Sequence, residues 1–313
     1  MPRIRLLVLS GPTASGKTGA AMELARLLPL EIVGADSMQV YRGMDIGTAK
    51  PSPAERAEIP HHLIDVADPD DPYSAGRFVA EAKEAIREIR SRGRHPLLVG
   101  GTGLYLRALI RGLDPLPSDP EVREGLARRW VEEGGEALYT ALRRDDPAAA
   151  ARIHPADRLR VLRALEIAKI TGAPASSRRT AWEGGPGRYR VLFFALRPGR
   201  EELYRRIGER ADGMIRSGLV EEVRGLLSRG YGPGLRSMDA LGYRHILSHL
   251  LGGVPLEEAV RGLKRDTRRY AKRQLTWLAS EEEVRWIEGD SAVHAMAEMS
   301  RKFLLSTGFS HKL

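Results

Sequence analysis

Eight residues near the start, Gly11-Pro12-Thr13-Ala14-Ser15-Gly16-Lys17-Thr18, have the spacing of a phosphate-binding loop, Gly-x4-Gly-Lys-Thr. The glycines allow an anion to come close to the backbone, and successive N–H groups point into one nest. A helix starting behind them adds the positive end of its dipole. In such a loop Lys17 reaches a terminal phosphate and Thr18 offers its hydroxyl to Mg²⁺. The candidate binding set is Gly11, Thr13, Ala14, Ser15, Gly16, Lys17 and Thr18, with Thr18 as the metal contact. The bland alternative is a chance glycine-rich turn, and an apolar run before it and a helical pattern after it argue against that.

Nucleotide hydrolases with this loop carry an Asp at the end of a later apolar strand, where it holds Mg²⁺. Here Leu97-Leu98-Val99 runs into Gly100-Gly101-Thr102-Gly103 with no carboxylate. The carboxylate instead ends the second strand, at Asp36, with Ser37 and Gln39 behind it. Ligands of open α/β sheets sit at the carboxyl ends of strands, so Asp36 and the loop should face one crevice. Such a loop could hold a diphosphate that leaves rather than an ATP that is split. Asp36 could equally be a cap or a loop carboxylate, and Thr102 a turn residue. The adjacent His61 and His62 have no partner cluster and make a poor metal site.

These residues need elements to hold them. Ile4 to Leu9 reads as a buried strand, residues 20–28 as a helix, and Glu31 to Ala35 as a second strand. A polar, proline-rich stretch runs from Thr48 to Pro60. His62 to Val66 reads as a short strand, residues 75–92 as an amphipathic helix, and Pro96 to Val99 as a strand. Strands alternating with helices imply an α/β fold, a P-loop-containing parallel sheet flanked by helices. After Leu113 the pattern changes: a turn-rich linker at Asp114–Pro120 leads to helical periodicity alone as far as about Arg179. Gly184-Gly185-Pro186-Gly187 then breaks the chain, and Tyr189 to Leu196 resumes as a buried strand. The expected organisation is a catalytic core from residues 1–113 and 188–313 with an all-helical insertion at 114–187, and residues 197–313 mostly helical.

Composition narrows the class. With no cysteine, disulfides, cysteine-based zinc sites and thiol catalysis are excluded. No apolar run reaches membrane-spanning length, and the N-terminal run stops too early for a signal peptide, so a cytoplasmic protein is expected. The net charge of +9 favours a polyanionic partner. Its placement sharpens that: Arg261 to Arg273 holds seven basic residues and one acid, Asp266. On a helix, Lys264, Arg268 and Lys272 share a face, as do Arg265, Arg269 and Arg273, while Leu263, Tyr270, Gln274 and Trp277 lie on or near the opposite side. Solvated helix faces usually alternate in sign; this one does not, which favours phosphate-backbone contact. Arg158, Arg160 and Arg163 make a second, more acid-diluted cluster. Aromatic residues are only 6%, too few for a broad base-stacking platform.

Further blocks extend the pattern: Asp36-Ser37-Met38-Gln39-Val40-Tyr41, Gly47-Thr48-Ala49-Lys50-Pro51, His61-His62-Leu63-Ile64-Asp65, Gly100-Gly101-Thr102-Gly103-Leu104-Tyr105, Leu241-Gly242-Tyr243-Arg244 and Tyr270-Ala271-Lys272-Arg273-Gln274-Leu275-Thr276-Trp277. In order from residue 11 to residue 277, the set resembles the tRNA dimethylallyltransferases. The resemblance implies transfer of a dimethylallyl group from dimethylallyl diphosphate to N6 of the adenosine just 3′ of the anticodon, with the helical insertion gripping the tRNA anticodon stem-loop. It implies Asp36 as general base, Thr102 as a hydrogen-bonding partner near the same amine, and Lys17, Thr18, Mg²⁺ and the loop amides as stabilisers of departing diphosphate. Arg210 resembles a second diphosphate-neutralising arginine, with Arg216 or Arg224 as alternatives. The expected tRNA contacts are Asp36, Ser37, Met38, Gln39, Arg123, Arg158, Arg160, Arg244, Arg268, Lys272 and Arg273. No zinc is implied. The rivals are a small-molecule P-loop kinase, a non-catalytic RNA-binding P-loop module, and prenylation of a free adenine nucleotide.

Overall fold

Leucine- and valine-rich runs form the centre of the fold in the computed structural model, which describes residues 3–114, 116–178, 188–289 and 292–306. The strands are β1 (Ile4–Ser10), β2 (Leu30–Gly34), β3 (His61–His62), β4 (His95–Val99), β5 (Tyr189–Leu196) and β6 (Val284–Ile287). The helices are α1 (Lys17–Leu27), α2 (Pro53–Glu58), α3 (Ala75–Ser91), α4 (Gly103–Arg111), α5 (Pro120–Glu132), α6 (Gly135–Asp145), α7 (Pro147–Ala150), α8 (Arg158–Thr171), α9 (Arg200–Arg216), α10 (Leu219–Ser228), α11 (Leu241–Gly252), α12 (Leu256–Ala279) and α13 (Ala292–Leu305).

The strands make one parallel sheet in the order β3-β2-β4-β1-β5-β6. Parallel strands need crossovers, and these put helices on the sheet's faces, so the central strands are buried on both sides. Leu6 and Val8 point into one core layer with Phe78, Ile86, Ile89 and Tyr243. Leu7 and Leu9 point into the other, with Leu24, Phe194 and Met296. This two-sided burial is why β1 reads as a continuous apolar run from Leu6 to Leu9 rather than an alternating one.

The chain divides into two compact units, Met1–Ile110 with Gly187–Leu313, and Arg111–Pro186. The second packs α5, α6 and α8 around Leu126, Leu138, Leu142, Val161 and Ile167. Within it the buried Glu166 carboxylate is neutralised by Arg123 at 3.0 Å and Arg163 at 2.7 Å, and accepts the Asp119 N–H. The expected break at Gly184–Gly187 and the end of the helical pattern at Arg179 lie outside the described residues.

One local expectation is corrected and two are refined. The third strand covers only His61–His62; Leu63 and Asp65 then take φ of 63° and 57°, which ends any extended run. The stretch from Thr48 to Pro60 contains α2, whose start is a capping box: Ser52 Oγ accepts the Glu55 N–H and the Glu55 carboxylate accepts the Ser52 N–H. The C-terminal part includes β6, four residues paired only with β5, too short to show a period of its own. Among the described residues no helix is long and apolar enough to cross a membrane.

Candidate active site

The sheet order creates the crevice. From β1 the chain passes over β4 to form β2, and after β4 it crosses to the other side of β1 to form β5. Open sheets bind ligands where the direction of winding reverses, here at the carboxyl ends of β1 and β4. The register pairs Leu9 with Val99 and Gly34 with Val99. Three strand ends therefore stop level, and the phosphate loop, the Gly100–Thr102 turn and Asp36 emerge together. Ser10 Oγ donates to the Gly100 carbonyl at 2.7 Å, and the Ala35 N–H to that of Val99 at 2.7 Å. A β-carbon on Gly100 would lie 2.1 Å from the Ala35 oxygen, so only hydrogen fits there.

In the loop, Gly16 takes φ of 88° and caps α1 without a side-chain hydrogen bond. The first amides of α1 are thus left for an incoming anion. Ser15 Oγ is buried without a hydrogen-bond partner. Lys17 Nζ donates to the loop's own carbonyls of Gly11 at 2.9 Å and Pro12 at 2.8 Å. Of the three candidate arginines, Arg210 reaches the loop, with weak contacts of 3.4 Å to Thr13 Oγ1 and 3.5 Å to the Thr48 carbonyl. Arg224 pairs with Glu221, and Arg216 is exposed at the end of α9. Burial, then the Arg210 charge, lower the Lys17 ammonium to about 8, against the pull of Asp36. Arg210 is likewise lowered by burial, with Asp36 opposing. Two crowded cations facing one carboxylate make an electrostatic site that an anion would relieve.

This sets a pH dependence. An anion favours the charged form of Lys17, so binding takes up a proton wherever free Lys17 has lost it. Affinity for an alkyl diphosphate, fully ionised above its last pKa of about 6, should change little between about pH 7 and pH 8. Above pH 8 it should fall, by at most about tenfold per pH unit. Calorimetry of the metal-free enzyme between neutral and alkaline pH measures it, and Lys17→Met should abolish the slope.

Across the crevice Asp36 is half-buried, and its Oδ1 accepts the N–H groups of Met38 at 2.8 Å and Gln39 at 3.3 Å. Both readings of Asp36 therefore meet: one oxygen shapes the turn, and that fixes the direction of the carboxylate. Thr102 Oγ1 accepts the Ser37 N–H at 3.0 Å, and the Thr102 N–H donates to the Ala35 carbonyl at 3.3 Å. Gln39 turns inward, its Nε2 donating to the carbonyls of Thr48 and Ala49, which leaves only its oxygen for an outside group. His61 Nδ1 lies 2.7 Å from the Ile59 carbonyl, while His62 Nε2 pairs with Glu31.

Residues missed by sequence reasoning hold this side in place. Glu222 accepts the N–H groups of Asp45, Ile46 and Gly47 and the Tyr243 hydroxyl, the last at 2.6 Å. A β-carbon on Gly47 would sit 2.5 Å from the Tyr243 ring. The buried Lys50 ammonium bonds Asp45, Asp65 and the Tyr41 carbonyl. The blocks around Gly47 and Tyr243 are thus two halves of one joint.

The basic helix α12 is less free than its sequence suggests. Lys264 pairs with Asp212, and Asp266 gathers Arg244, Arg265, Arg269 and His245. Exposed without a carboxylate partner, among the described residues of this helix, are Arg261, Arg268, Lys272 and Arg273. Arg268 stacks over Tyr204 and Arg273 over Tyr270, which pre-orders both guanidinium groups. In the helical unit, Arg123 is committed to Glu166 and Arg160 to Asp157, while Arg158 is exposed at the start of α8.

Among the described residues no group of three or more His, Asp or Glu could hold a metal ion. Mg²⁺ needs hard oxygen ligands and often takes most of them from phosphates and water. Thr18, in the first turn of α1 behind the anion nest, supplies one such hydroxyl and fits that role.

Known proteins are similar to this chain in sequence and fold. The chain is 49% identical over 300 residues, 95% of its length and 87% of the relative's, to a tRNA dimethylallyltransferase of Syntrophobacter fumaroxidans. It is 50% identical over 287 residues to that of Geobacter metallireducens, covering 91% and 93% of the two chains. A full-length tRNA isopentenylpyrophosphate transferase from Bacillus halodurans superposes with a TM-score of 0.70 at 41% identity, over 96% of each chain. A eukaryotic dimethylallyltransferase acting on tRNA gives a TM-score of 0.78 at 27% identity, over 96% of this chain and 79% of that one. The sequence profile of the IPP transferase family matches residues 39–281, and the chain belongs to that family.

Proposed function

We propose that the enzyme transfers a dimethylallyl group from dimethylallyl diphosphate to N6 of the adenosine 3′-adjacent to the anticodon of tRNA. The observation that carries this is the pairing of a cationic anion nest, Lys17 with Arg210, and one fixed carboxylate, Asp36, across a single crevice. The target base leaves its stack to enter. Its amine forms a bond to C1 of the prenyl group as the C1–oxygen bond breaks, and the diphosphate departs with the electron pair. Asp36 accepts the amine proton. The loop amides, Lys17 and Arg210 meet the growing charge on the leaving group. Mg²⁺, held through Thr18 and the diphosphate itself, would add further charge neutralisation. Thr102, tied to Ser37, keeps the acceptor turn in place beside Asp36.

The test is mass spectrometry of nucleosides from a tRNA incubated with the enzyme and dimethylallyl diphosphate, without ATP. A prenylated adenosine at the expected position is the outcome required. Unchanged tRNA, or transfer that depends on ATP, would reject the reading.

The exposed cations of α12 are read as phosphate contacts. Arg268→Ala with Lys272→Ala should weaken tRNA binding, and lower the slope of log affinity against log salt by up to about two units, roughly one per lost contact. Dimethylallyl diphosphate affinity should barely move. Filter binding over a salt series measures this, and an unaltered slope would return the face to simple solvation.

A further inference from the structure

Helix α12 also reaches inward. Gln274 lies on its buried side, one residue beyond Arg273 and two beyond Lys272, and is 7% exposed. Its Oε1 accepts the Thr13 N–H at 2.8 Å, and its Nε2 donates to the Gly101 carbonyl at 3.0 Å. The chemistry of the partners fixes the amide's orientation, because an N–H needs the oxygen and a carbonyl needs the NH₂. Thr13 belongs to the phosphate loop, and Gly101 to the turn that presents Thr102. The ladder between β1 and β4 ends at Leu9 and Val99, and Ser10 Oγ adds one more tie at Gly100. Beyond that point the two strands give way to loops, and Gln274 bridges them.

The turn is shaped to admit this bridge. A β-carbon on Gly101 would lie 2.2 Å from Gln274 Nε2, and one on Gly103 would lie 2.4 Å from the Trp277 ring. Two of the three glycines of Gly100-Gly101-Thr102-Gly103 thus make room for α12 and not for a substrate. On the loop side, Ala14 packs against Leu203, Ile207 and Ala271. Between these contacts, the Gln274 amide links the donor loop to the turn that carries Thr102, itself bonded to Ser37 beside Asp36.

We infer that Gln274 is a positioning residue that fixes the separation of the diphosphate-binding loop from the acceptor-side turn. This rests on the proposed function: the loop holds the leaving group, and the turn stands beside the nucleophile. Reaction rates depend steeply on such a separation, and a misplacement of about 1 Å can cost on the order of a hundredfold. Gln274→Met keeps the length and apolar stem but makes neither hydrogen bond. Gln274→Asn is one methylene too short to span both partners and serves as the milder variant.

Three quantities are measured on each preparation: single-turnover transfer with both substrates saturating, affinity for inorganic diphosphate, and affinity for a tRNA anticodon stem-loop. Lys272→Ala, on the outer face of the same helix, is the comparison. Gln274→Met should slow saturated transfer on the order of tenfold to a hundredfold. It should weaken diphosphate binding several-fold, because the Thr13 amide is no longer held, and leave stem-loop affinity within about twofold. Gln274→Asn should move the same way by less, and decides the matter if the methionine variant does not fold. Lys272→Ala should show the reverse split, losing stem-loop affinity while keeping diphosphate affinity. The inference is overturned if folded Gln274→Met or Gln274→Asn transfers at the parent rate. It is equally overturned if both lose diphosphate and stem-loop affinity alike, for then Gln274 only supports the fold. Failure of the parent enzyme to transfer at all would reject the proposed reaction instead, and the diphosphate arm would still decide whether Gln274 orders the loop.

Discussion

Asp36→Asn should transfer the dimethylallyl group on the order of 10²–10⁴ more slowly than the parent enzyme, the range expected when a general base is removed. The amine of an adenine is a poor nucleophile, and its proton must leave as the carbon–nitrogen bond forms. The geometry makes asparagine a clean probe. Oδ1 of Asp36 accepts the Met38 and Gln39 amides, and an asparagine oxygen can accept both as well. The turn should therefore survive while the second oxygen, the one able to accept a proton, is replaced by an NH₂ group. Affinities for tRNA and for dimethylallyl diphosphate should stay within a few-fold. Single-turnover transfer and both affinities, measured on one preparation, separate the outcomes. Transfer at the parent rate would remove Asp36 from the chemistry, and loss of both affinities would make it a residue of the turn alone.

The residues legible in the sequence are those whose chemistry is local. The phosphate loop carries its own spacing, and Asp36 stands at the end of an apolar run, so both can be found without knowing what lies opposite. The parallel sheet is legible for the same reason: the central strands are mostly apolar, with runs such as Leu6–Leu9 and Leu192–Leu196, as two-sided burial demands. What stays hidden depends on distant partners. Glu222 looks like any surface acid of an amphipathic helix, yet it accepts three consecutive amides about 175 residues earlier in the chain. Gln274 sits within a recognisable block, but its position on the apolar side of α12 says only that it is buried. The cationic face misleads in the opposite direction. Its helical spacing is right, but Asp212 on another helix and Asp266 within it take up Lys264, Arg265 and Arg269. Arg123 is likewise a counter-charge to a buried glutamate 43 residues away. Charge counting along a chain finds cations, and only the fold tells which of them already have a partner.

Lys17→Ala should weaken dimethylallyl diphosphate binding and also slow transfer at saturation, the second by on the order of 10²–10³. The two effects have different causes. In the free enzyme the ammonium is held by the Gly11 and Pro12 carbonyls, and burial, helped by the neighbouring Arg210, brings it down to about 8. Diphosphate offers the ammonium a full countercharge where the carbonyls offer only neutral acceptors, so binding gains from the presence of Lys17. As the carbon–oxygen bond breaks, more negative charge collects on the departing oxygens, and a cation already in place meets it without reorganising. That part of the interaction exists only in the transition state and so appears in the rate at saturation. Arg210 remains in the variant and would hold the leaving group in part, which keeps some activity measurable. Lys17→Arg should recover binding better than rate, because a planar guanidinium cannot occupy the compact position between the two carbonyls. Rapid-quench transfer at saturating donor, beside calorimetric donor affinity, tests both halves. A variant that binds weakly yet transfers at the parent rate once saturated would confine Lys17 to ground-state binding, and normal behaviour in both would reject its place at the donor site.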